Sequence, residues 1–540
     1  MEQAAGKKIN IWLPSLLAVV LITGMLVGMK VKDTTANKRA LTLNSGANYD
    51  KFTDILNYIG VKYVDTVNKV KLTEQAINEV LKNLDPHSLY IPAKDLEQVN
   101  EPLEGKYKGI GIEFSIVSDT IIVVSPINGG PSDLLGIQSG DRIIKIEDKV
   151  VAGTGINNND VFSLLRGPED TEVSIHIKRK ASANLIKYTI TRDEIPINSV
   201  DVFYMMNSTT GFIKINRFTL TTYEEFIKAL EAMINEGMRK LIIDLRGNPG
   251  GYLTAAVEIA DELLDQKKVI VYTEGRSTPR KEHNTRREGF FETGDLIILI
   301  NQGSASASEI IAGAVQDWDR GLILGRRSFG KGLVQEQYNL RDGSALRLTI
   351  SRYFTPTGRS IQKSYKNGLK DYEEELFKRT ENGEFLSADS IPIADSLKFV
   401  TPGGKVVYGG GGITPDVFVP LDTSYNHDYL WKVQTKDLLR KFSYNYYSNH
   451  KSEFDVYPDL DSFLKGFNVT NKRFKAFTDF VVEAGSPEAN DLPENIIRYI
   501  KVHIKAQIAR QIWDNVGYYR VVYEMDNALN KAYKMINGES

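Results

Sequence analysis

Cysteine is absent from the 540 residues of this chain. Its absence excludes disulfide bonds, thiolate metal sites, a cysteine nucleophile and a lipidated N-terminal cysteine. The chain also lacks an excess of charge, because 67 Lys and Arg residues accompany 69 Asp and Glu residues. A nearly neutral chain gives no general electrostatic case for binding nucleic acid. The 42% of hydrophobic and 25% of charged residues exclude a wholly disordered protein and a membrane protein with many spans.

Long apolar runs are also missing, except near the N-terminus. Residues 9–29 are apolar with few interruptions, and a helix over 11–29 would span about 28 Å. Lys7 and Lys8 precede this run, which is the arrangement of an export signal. No small-x-small cleavage site follows it. We therefore expect an uncleaved membrane anchor at 9–29, and export with removal of the segment is the alternative.

At about 150 residues per domain, the length predicts three or four folding units. The pattern of residues changes character four times along the chain. An apolar run with a polar tether is followed by a helical region, a glycine-punctuated β-rich region, an alternating region and a lysine- and aromatic-rich helical region. These segments are 1–40, 41–104, 105–190, 191–425 and 426–540.

Within the alternating region, apolar strands follow one another with amphipathic helices between them. Strands are predicted at 211–215, 241–245, 296–300 and 322–325, and helices at 223–236, 253–265 and 308–317. This alternation predicts a layered α/β core. A polar loop and strand-like sequence at 408–420 are expected to follow. In the β-rich region, short strands are predicted at 121–124, 142–146 and 173–177.

The strongest local motif is NQGSASASEI at residues 301–310, between a predicted strand and a predicted helix. Its alternating serines could simply cap the helix, and composition alone favours that interpretation. The functional alternative is a serine nucleophile exposed at a strand-to-helix turn. The free N–H groups of the helix start could then receive an oxyanion.

A serine nucleophile requires a base. None of the six histidines lies in a recognisable Ser-His-Asp context, and no G-x-S-x-G motif surrounds the serines. Lys331 lies between two glycines in FGKGLVQ, residues 329–335, with apolar neighbours. Burial there would lower the pKa of its amine and make it a base. A surface lysine in a glycine turn is the equally simple alternative.

Two other motifs overlap Lys331. Residues 325–332, GRRSFGKG, approach a phosphate-binding P-loop, but glycine occupies the position of the Mg²⁺-binding hydroxyl. Ser328 and Lys331 also fit the S-x-x-K pattern of β-lactamase-like enzymes, but the S-D-N and K-T-G companions are missing. Both motifs need a helix, whereas the sequence that follows is strand-like.

Two glycine-rich loops could supply backbone N–H groups. The loop DLRGNPGG at 244–251 joins a predicted strand to a predicted helix, and its amides could face an oxyanion. The Gly109-x-Gly111 pair opens a strand, where free amides could capture a terminal carboxylate and the strand edge could accept a peptide tail. An ordinary glycine-rich loop between a strand and a helix is the alternative for 244–251. A single Gly-x-Gly pair is a weak signal, which the Ser139-Gly-Asp sequence strengthens.

Together these motifs resemble the carboxy-terminal processing peptidases, also called tail-specific proteases. The resemblance runs from about Asp85 to the GITPD motif at 412–416, well over half of the chain. The matching motifs, in order, are GIGIE at 109–113, SGD at 139–141, LRGP at 165–168, DLRGNPGG at 244–251, SASASE at 304–309 and FGKGLVQ at 329–335. The helical tail resembles the versions found in Gram-negative bacteria of the Bacteroidetes type.

The resemblance implies a multidomain α+β protein. Its parts would be an anchor, a helical region, a β-barrel-like PDZ domain at 105–190, a ClpP/crotonase-like protease core at 191–425 and a helical C-terminal region. It implies that Ser306 is the nucleophile, Lys331 the general base and Gln335 the residue that orients the lysine. The oxyanion donors would be Ala307 and either Gly250 or Gly251.

For the PDZ domain, the resemblance implies peptide binding by Gly109, Ile110, Gly111, Ile112 and Arg166. In some relatives the matching arginine links peptide occupancy to activation. The expected activity is endoproteolysis of poorly folded or tailed proteins, with no metal or other cofactor, on the periplasmic side of the inner membrane. Homodimerisation is also expected, while no adaptor can be named. The alternative is a non-catalytic PDZ-bearing scaffold protein on the same fold.

Overall fold

A computed structural model describes residues 48–117, 119–179, 182, 184–392 and 395–539. The predicted anchor at 9–29 lies outside these residues, and no helix among them combines the length and apolarity needed to cross a bilayer. The chain divides into two compact units between Glu79 and Val80. The first contains helix α1 (Asn48–Lys62) and most of helix α2 (Lys69–Lys82), where the sequence predicts helices.

The β-rich region forms a small antiparallel sheet in the order β3-β4-β5-β7-β8, with β6 paired to β5. The segment that leads into this region contains β1 (Leu89–Ile91) and α3 (Leu96–Glu104). The region itself contains β2 (Lys106–Gly109), β3 (Ile112–Ile116), β4 (Ile121–Pro126), α4 (Pro131–Leu134), β5 (Arg142–Ile146), β6 (Lys149–Val150), α5 (Asn158–Leu165), β7 (Glu172–Lys178), β8 (Ile186–Thr191) and β9 (Asp193–Pro196). β2 pairs with β9, so the entry and exit of this domain are tied together. β3 is an edge strand of its sheet.

The next region contains the largest sheet. Its strands and helices are β10 (Val200–Met205), β11 (Thr210–Ile215), α6 (Thr222–Asn235), β12 (Lys240–Asp244), α7 (Leu253–Leu263), β13 (Val269–Glu274), β14 (Lys281–Asn284), β15 (Asp295–Ile300), α8 (Ala307–Asp317), β16 (Leu322–Gly325), β17 (Leu333–Asn339), β18 (Ala345–Phe354), α9 (Leu369–Glu381), β19 (Lys398–Val400), β20 (Val406–Tyr408) and β21 (Val417–Phe418). The sheet order is β10-β11-β12-β15-β16-β21, and pairing is parallel from β11 onward. The prediction of a polar loop before Tyr408 is wrong in part, because that segment contains helix α9.

Both faces of this sheet are buried, as expected for parallel strands in an α/β core. Side chains alternate between the faces with a period of two residues. In β12, for example, Leu241 and Ile243 pack in the cluster that contains α6, α7 and α8. Ile242, between them, packs on the opposite face against residues of the last helix of the chain. The core is therefore a three-layer α/β/α arrangement.

A second sheet lies beside the first, in the order β1-β18-β13-β14, with β17 also paired to β18. The β17–β18 hairpin follows Lys331 directly, so it positions the chain on either side of that residue. β1 pairs antiparallel with β18, and this pairing brings the segment around Asp85 to the core.

The C-terminal region is helical, as predicted. Its helices are α10 (Asp428–Thr435), α11 (Leu438–Asn449), α12 (Leu460–Gly466), α13 (Asn471–Glu483), α14 (Glu494–Val522) and α15 (Asn527–Asn537). α10 to α14 form their own core, rich in buried aromatic residues such as Phe463 and Phe477. α14 is broken at Trp513 and Asp514, where the backbone leaves helical geometry. α15 covers the second face of the large sheet.

Candidate active site

Ser306 differs from its two neighbouring serines. The Ser304 hydroxyl is fully buried and donates to the Leu245 carbonyl at 2.8 Å, and that of Ser308 donates to the Asn248 carbonyl at 3.1 Å. Ser306 is half-buried, has a positive φ of 55° and forms a capping box with Glu309, and its hydroxyl donates no hydrogen bond among the described contacts. A positive φ is costly for a residue with a side chain and is typical of functional turns. The outer serines thus fix the turn, while the middle serine presents its hydroxyl.

Lys331 is half-buried in the extended segment between β16 and β17. Burial lowers the pKa of its amine below the ordinary lysine value, and the positive charge of Arg347 lowers it further. The negative charges of Glu309 and Asp85 oppose this shift only in part. Within the described residues, its side chain forms no hydrogen bond or ion pair. A lysine in this setting is more readily neutral than a solvated one, as a general base requires.

Glu309 joins the serine turn to the lysine segment. Its Oε2 accepts hydrogen bonds from the backbone N–H of Ser306 at 2.8 Å and from that of Lys331 at 2.9 Å. Its Oε1 accepts from the Gly330 N–H at 2.7 Å and from the Ser328 hydroxyl. Because one oxygen binds both nitrogens, the backbones of Ser306 and Lys331 lie close together. Burial raises the pKa of Glu309 to about 7, although these four donors oppose the shift.

Tyr353 forms a second link between the same two segments. Its ring is almost fully buried, and its hydroxyl lies within hydrogen-bonding distance of the carbonyls of Ser306, at 3.1 Å, and of Lys331. The pKa of Tyr353 is raised well above its ordinary value by burial, so the hydroxyl remains protonated. The proton of this hydroxyl is therefore shared between the two backbone segments.

The glycine-rich loop lies directly against the serine turn. A Cβ placed on Gly250 would lie 2.7 Å from the Ser306 Cβ and 3.0 Å from the Ala307 nitrogen. The Gly250 N–H already donates to the Asn248 side chain at 2.8 Å. The N–H groups of Gly251 and Ala307 have no acceptor among the described residues. Of the two glycines predicted as oxyanion donors, Gly251 is therefore the one with an unoccupied donor.

Gln335 lies on β17, four residues after Lys331. Its side-chain amide donates to the Thr349 hydroxyl at 3.3 Å, and no hydrogen bond to Lys331 is formed among the described contacts. Thr349 in turn donates to Asp85 at 2.9 Å. Burial alone would raise the pKa of Asp85, but hydrogen bonds from Ser88, His87 and Thr349 lower it below its ordinary value. The orienting role of Gln335 stays a prediction.

His87 is the histidine near this site. Its Nε2 lies 2.9 Å from the Tyr372 hydroxyl. Burial lowers the pKa of His87 to about 4, and the charge of Lys331 contributes to that shift. The imidazole is therefore neutral at physiological pH. It contacts Tyr372 edge-on, as Phe329 does, so it helps to form the wall beside the lysine.

The two overlapping motifs do not have the structures they require. Ser328 and Lys331 lie in an extended segment, whereas an S-x-x-K site needs a helix. Ser328 is fully buried, donates to Glu309 and accepts from the Ile413 N–H at 2.6 Å. The P-loop-like sequence leads into strand β17 instead of a helix. No group of three or more metal-ligating side chains occurs within the residues that the structure describes.

The predicted peptide-binding residues come together in the small β-rich domain. Residues 109–112, Phe114, Phe162, Leu165 and Arg166 line an apolar cavity of about 120 Å³, here called the terminal pocket. It lies between the start of β3 and the end of α5. Arg166 forms an ion pair with Glu101 on α3 and lies 4.7 Å from the ring centroids of both Tyr107 and Phe162. Arg166 thereby connects the pocket to the segment that precedes the domain.

Glu309, Tyr353 and Arg347 were not predicted as site residues. Glu309 had a local signal, because Ser306-x-x-Glu309 has the spacing of a capping box. Tyr353 and Arg347 had none, because they lie on a hairpin strand more than 40 residues from Ser306 and reach the site only through the folding of β18.

Comparison with known proteins agrees with this arrangement. Residues 209–371 match peptidase family S41, residues 122–179 match the PDZ domain, and residues 429–514 match a family of unknown function, DUF8443. A carboxy-terminal-processing protease of Bartonella bacilliformis is 36% identical over 356 residues, which are 64% of this chain and 79% of that protein. A probable CtpA-like serine protease of Staphylococcus aureus is 31% identical over 366 residues, 67% of this chain and 73% of its own.

Solved structures of similar proteins include two with related names. The photosystem II D1 C-terminal processing protease aligns at 25% identity over 69% of this chain and 87% of its own, with a TM-score of 0.37. The peptide-bound PDZ domain of a carboxy-terminal protease from Vibrio cholerae aligns at 30% identity over 17% of this chain and 97% of its own, with a TM-score of 0.16. On the sequence matches, this multidomain α/β chain belongs to peptidase family S41, among the carboxy-terminal-processing serine proteases.

Proposed function

We propose that this chain is an endopeptidase that binds the C-terminal tails of its substrates in the PDZ domain and cleaves them with Ser306 and Lys331. The observation that carries the proposal is the shared oxygen of Glu309, which holds the backbones of both residues. The strained turn of Ser306, its hydroxyl without a described acceptor and the lowered pKa of Lys331 support the same assignment.

The reaction proceeds through an acyl-enzyme. Neutral Lys331 accepts the proton of Ser306 as its oxygen forms a bond to the peptide carbonyl carbon. The N–H groups of Ala307 and Gly251 stabilise the oxyanion. The carbon–nitrogen bond then breaks, and Lys331 donates its proton to the leaving amine. A water molecule then gives a proton to the neutral lysine as its oxygen bonds to the acyl carbon. The ester C–O bond breaks to release the new carboxyl terminus, and Lys331 returns the proton to the Ser306 oxygen.

Tail recognition rests on the terminal pocket and on β3. The loop at 109–112 offers backbone amides to the terminal carboxylate, and the free edge of β3 can accept the tail as an added strand. Apolar side chains such as Ile112, Phe114 and Leu165 line the pocket, so an apolar terminal residue fits best.

Cleavage of an unfolded protein with an apolar tail tests the proposal. Wild type, Ser306→Ala, Lys331→Ala and His87→Ala are compared, and the cut sites are mapped by mass spectrometry. We expect Ser306→Ala and Lys331→Ala each to reduce cleavage at least about a thousandfold. Ser208→Ala, at an exposed serine between β10 and β11, is the matched control.

Each alternative predicts a different outcome. A non-catalytic scaffold predicts no cleavage by the wild type. A histidine-based protease predicts that His87→Ala abolishes cleavage while Lys331→Ala retains it. An S-x-x-K enzyme predicts that an acylating probe labels Ser328 instead of Ser306.

The proposal includes a location on the periplasmic side of the inner membrane, through residues 9–29, and a homodimer. Membrane fractionation with N-terminal sequencing tests the first part. A membrane-bound protein that retains residues 9–29 agrees with an anchor, whereas a released protein that lacks them indicates signal cleavage. Light scattering of the purified protein tests the dimer, which a purely monomeric mass contradicts.

A further inference from the structure

The C-terminal helices pack against the PDZ domain at the peptide-binding strand. The Tyr444 ring of α11 lies buried with Val117 and Ile122, and its hydroxyl donates to the Val123 carbonyl at 3.3 Å. Arg510 of α14 forms an ion pair with Glu113 of β3 at 3.2 Å. Side chains alternate along a strand, so Glu113 faces the helices while Ile112 and Phe114 face the PDZ core. The edge of β3 remains free between these two surfaces.

A groove continues from the terminal pocket along this free edge. It has a volume of about 560 Å³, within the usual range for ligand sites. One wall is β3 and the start of α5, and the other is residues 435–441, here called the 435–441 turn, which comprise the end of α10, the connection and the first residues of α11. We call it the outer groove. It shares Ile112, Phe114 and Phe162 with the terminal pocket, so the two cavities form one continuous path.

The direction of a bound tail follows from this layout. The terminal pocket lies at the start of β3, and the outer groove reaches Ser115 and Ile116 at its end. At about 3.3 Å per residue, the five residues of β3 span roughly 16 Å. A tail anchored by its carboxylate in the terminal pocket would therefore place its residues about three to five positions before the end beside the 435–441 turn.

The outer groove carries an excess of positive charge. Asp437 pairs with Arg440 at 2.5 Å, and Glu113 pairs with Arg510, so these charges are compensated. Lys436 and Lys441 also line the groove. The Lys436 amine donates to the carbonyls of Gly485 at 2.9 Å and Ala484 at 3.5 Å, just after α13, and the Lys441 amine donates to the Lys436 carbonyl at 2.9 Å. Neither lysine has a carboxylate partner among the described contacts, and the groove is lined by three cationic side chains, Lys436, Arg440 and Lys441, against the two anionic side chains Glu113 and Asp437.

We infer that the helical region matched to a family of unknown function forms the second wall of the PDZ groove and selects substrate tails with acidic side chains shortly before the C-terminus. Lys436 and Lys441 are the specificity-determining residues. The inference rests on the proposed recognition of tails, and it assigns to the 435–441 turn a role that the PDZ domain alone does not provide. The occupant is an extended acidic peptide, because an added strand requires an extended chain and the unpaired lysines require anions.

Binding of labelled peptides to the full chain tests the inference. Ser306→Ala prevents cleavage during the measurement. Three fluorescent peptides share the same three apolar C-terminal residues and carry aspartate, alanine or lysine at the fourth to sixth positions from the end. Fluorescence anisotropy gives their affinities at low and high salt, and a peptide with an amidated C-terminus reports whether the carboxylate is recognised.

We expect the aspartate peptide to bind at least about tenfold more tightly than the lysine peptide, with a preference that salt weakens. Lys436→Glu combined with Lys441→Glu should abolish or reverse this preference and leave the alanine peptide unaffected. Lys432→Glu, at an exposed lysine on α10 outside the groove, is the matched control.

The experiment distinguishes failure of this inference from failure of the proposed tail recognition. Equal affinities for the three peptides, or the same response to Lys432→Glu as to the double variant, would overturn the inference while tail recognition stands. Equal binding of the amidated peptide, or no binding of any peptide, would overturn recognition of the C-terminus and this inference with it.

Discussion

At the scale of single residues, the candidate site depends on how three serines in one motif differ. Ser304 and Ser308 donate their hydroxyls to neighbouring loops, and Ser306 alone among them has a strained backbone and a hydroxyl that donates to no described acceptor. The sequence could predict a nucleophile within this motif from the resemblance. The physical reason for the choice of Ser306 required the structure, because it lies in contacts with residues some 60 positions away.

Arg347→Gln should move the pH dependence of cleavage. Arg347 lowers the pKa of Lys331, after burial, because a positive charge disfavours the protonated amine. Removing that charge raises the pKa of Lys331, so the rise of kcat/KM with pH should shift to higher pH. A profile measured from pH 6 to 10 checks this. Arg352→Gln, on the same strand, is the control, and equal profiles for both variants would contradict the assignment.

Gly250→Ala should damage catalysis more than folding. The new Cβ would meet the Ser306 Cβ and the Ala305 carbonyl at 2.7 Å, so the turn that carries Ser306 must move. A displacement of about 1 Å can cost roughly a hundredfold in rate. Gly247→Ala is a matched control, because Gly247 also has a positive φ but its Cβ would meet nothing within 4 Å. Values of kcat/KM and melting temperatures of both variants decide the outcome, and equal activities would contradict the prediction.

At the scale of elements, most helices and strands could be predicted from periodicity. The predicted strands at 121–124, 142–146 and 322–325 correspond to β4, β5 and β16, and the predicted helix at 308–317 to α8. Alternation with a period of two or 3.6 residues follows directly from side-chain burial. α9 was missed because most of its 13 residues are charged and only Leu369, Tyr372, Leu376 and Phe377 are apolar, so the sequence reads as a polar loop.

Glu309→Gln should weaken the contact between α8 and the lysine segment. The carboxylate accepts four hydrogen bonds, whereas an amide offers one oxygen and turns an N–H₂ group toward the remaining donors. Two buried donors would lose their acceptor, at a cost of about 2–4 kcal/mol in the free energy of unfolding. Denaturation midpoints measure this. Glu258→Gln, at an exposed residue of α7, should change little, and equal effects would show that the Glu309 network is not stabilising.

At the scale of the whole molecule, the PDZ domain is held by the C-terminal helices as well as by its own linkers. Small interfaces between domains usually permit motion. Here Tyr444 inserts its ring beside Val117 and Ile122, and Arg510 adds an ion pair to Glu113. The position of β3, the strand proposed to bind peptides, therefore depends on a region that lies more than 300 residues later in the sequence.

Tyr444→Ala should loosen this contact. Removal of a buried aromatic ring costs about 3–5 kcal/mol of stabilising free energy. The few other contacts of this small interface do not compensate for that loss. We expect faster hydrogen–deuterium exchange in β3 and β4 of the full chain, without faster exchange in β12 or β15. Tyr444→Phe removes only the hydroxyl and should have a smaller effect. Unchanged exchange in β3 and β4 after Tyr444→Ala would contradict the docking of these helices on the PDZ domain.

The sequence by itself determined the order of the regions, most of the secondary structure and, through its motifs, the family of serine proteases. Those properties depend on local periodicity and on short motifs. Only the tertiary structure decided which serine hydroxyl lacks a described acceptor, which glycine N–H is unoccupied and which charges surround Lys331. Only the tertiary structure showed that the C-terminal helices lie beside the proposed peptide groove. These properties arise from contacts between distant segments, which the packing of the sheets and helices creates and which local sequence does not encode.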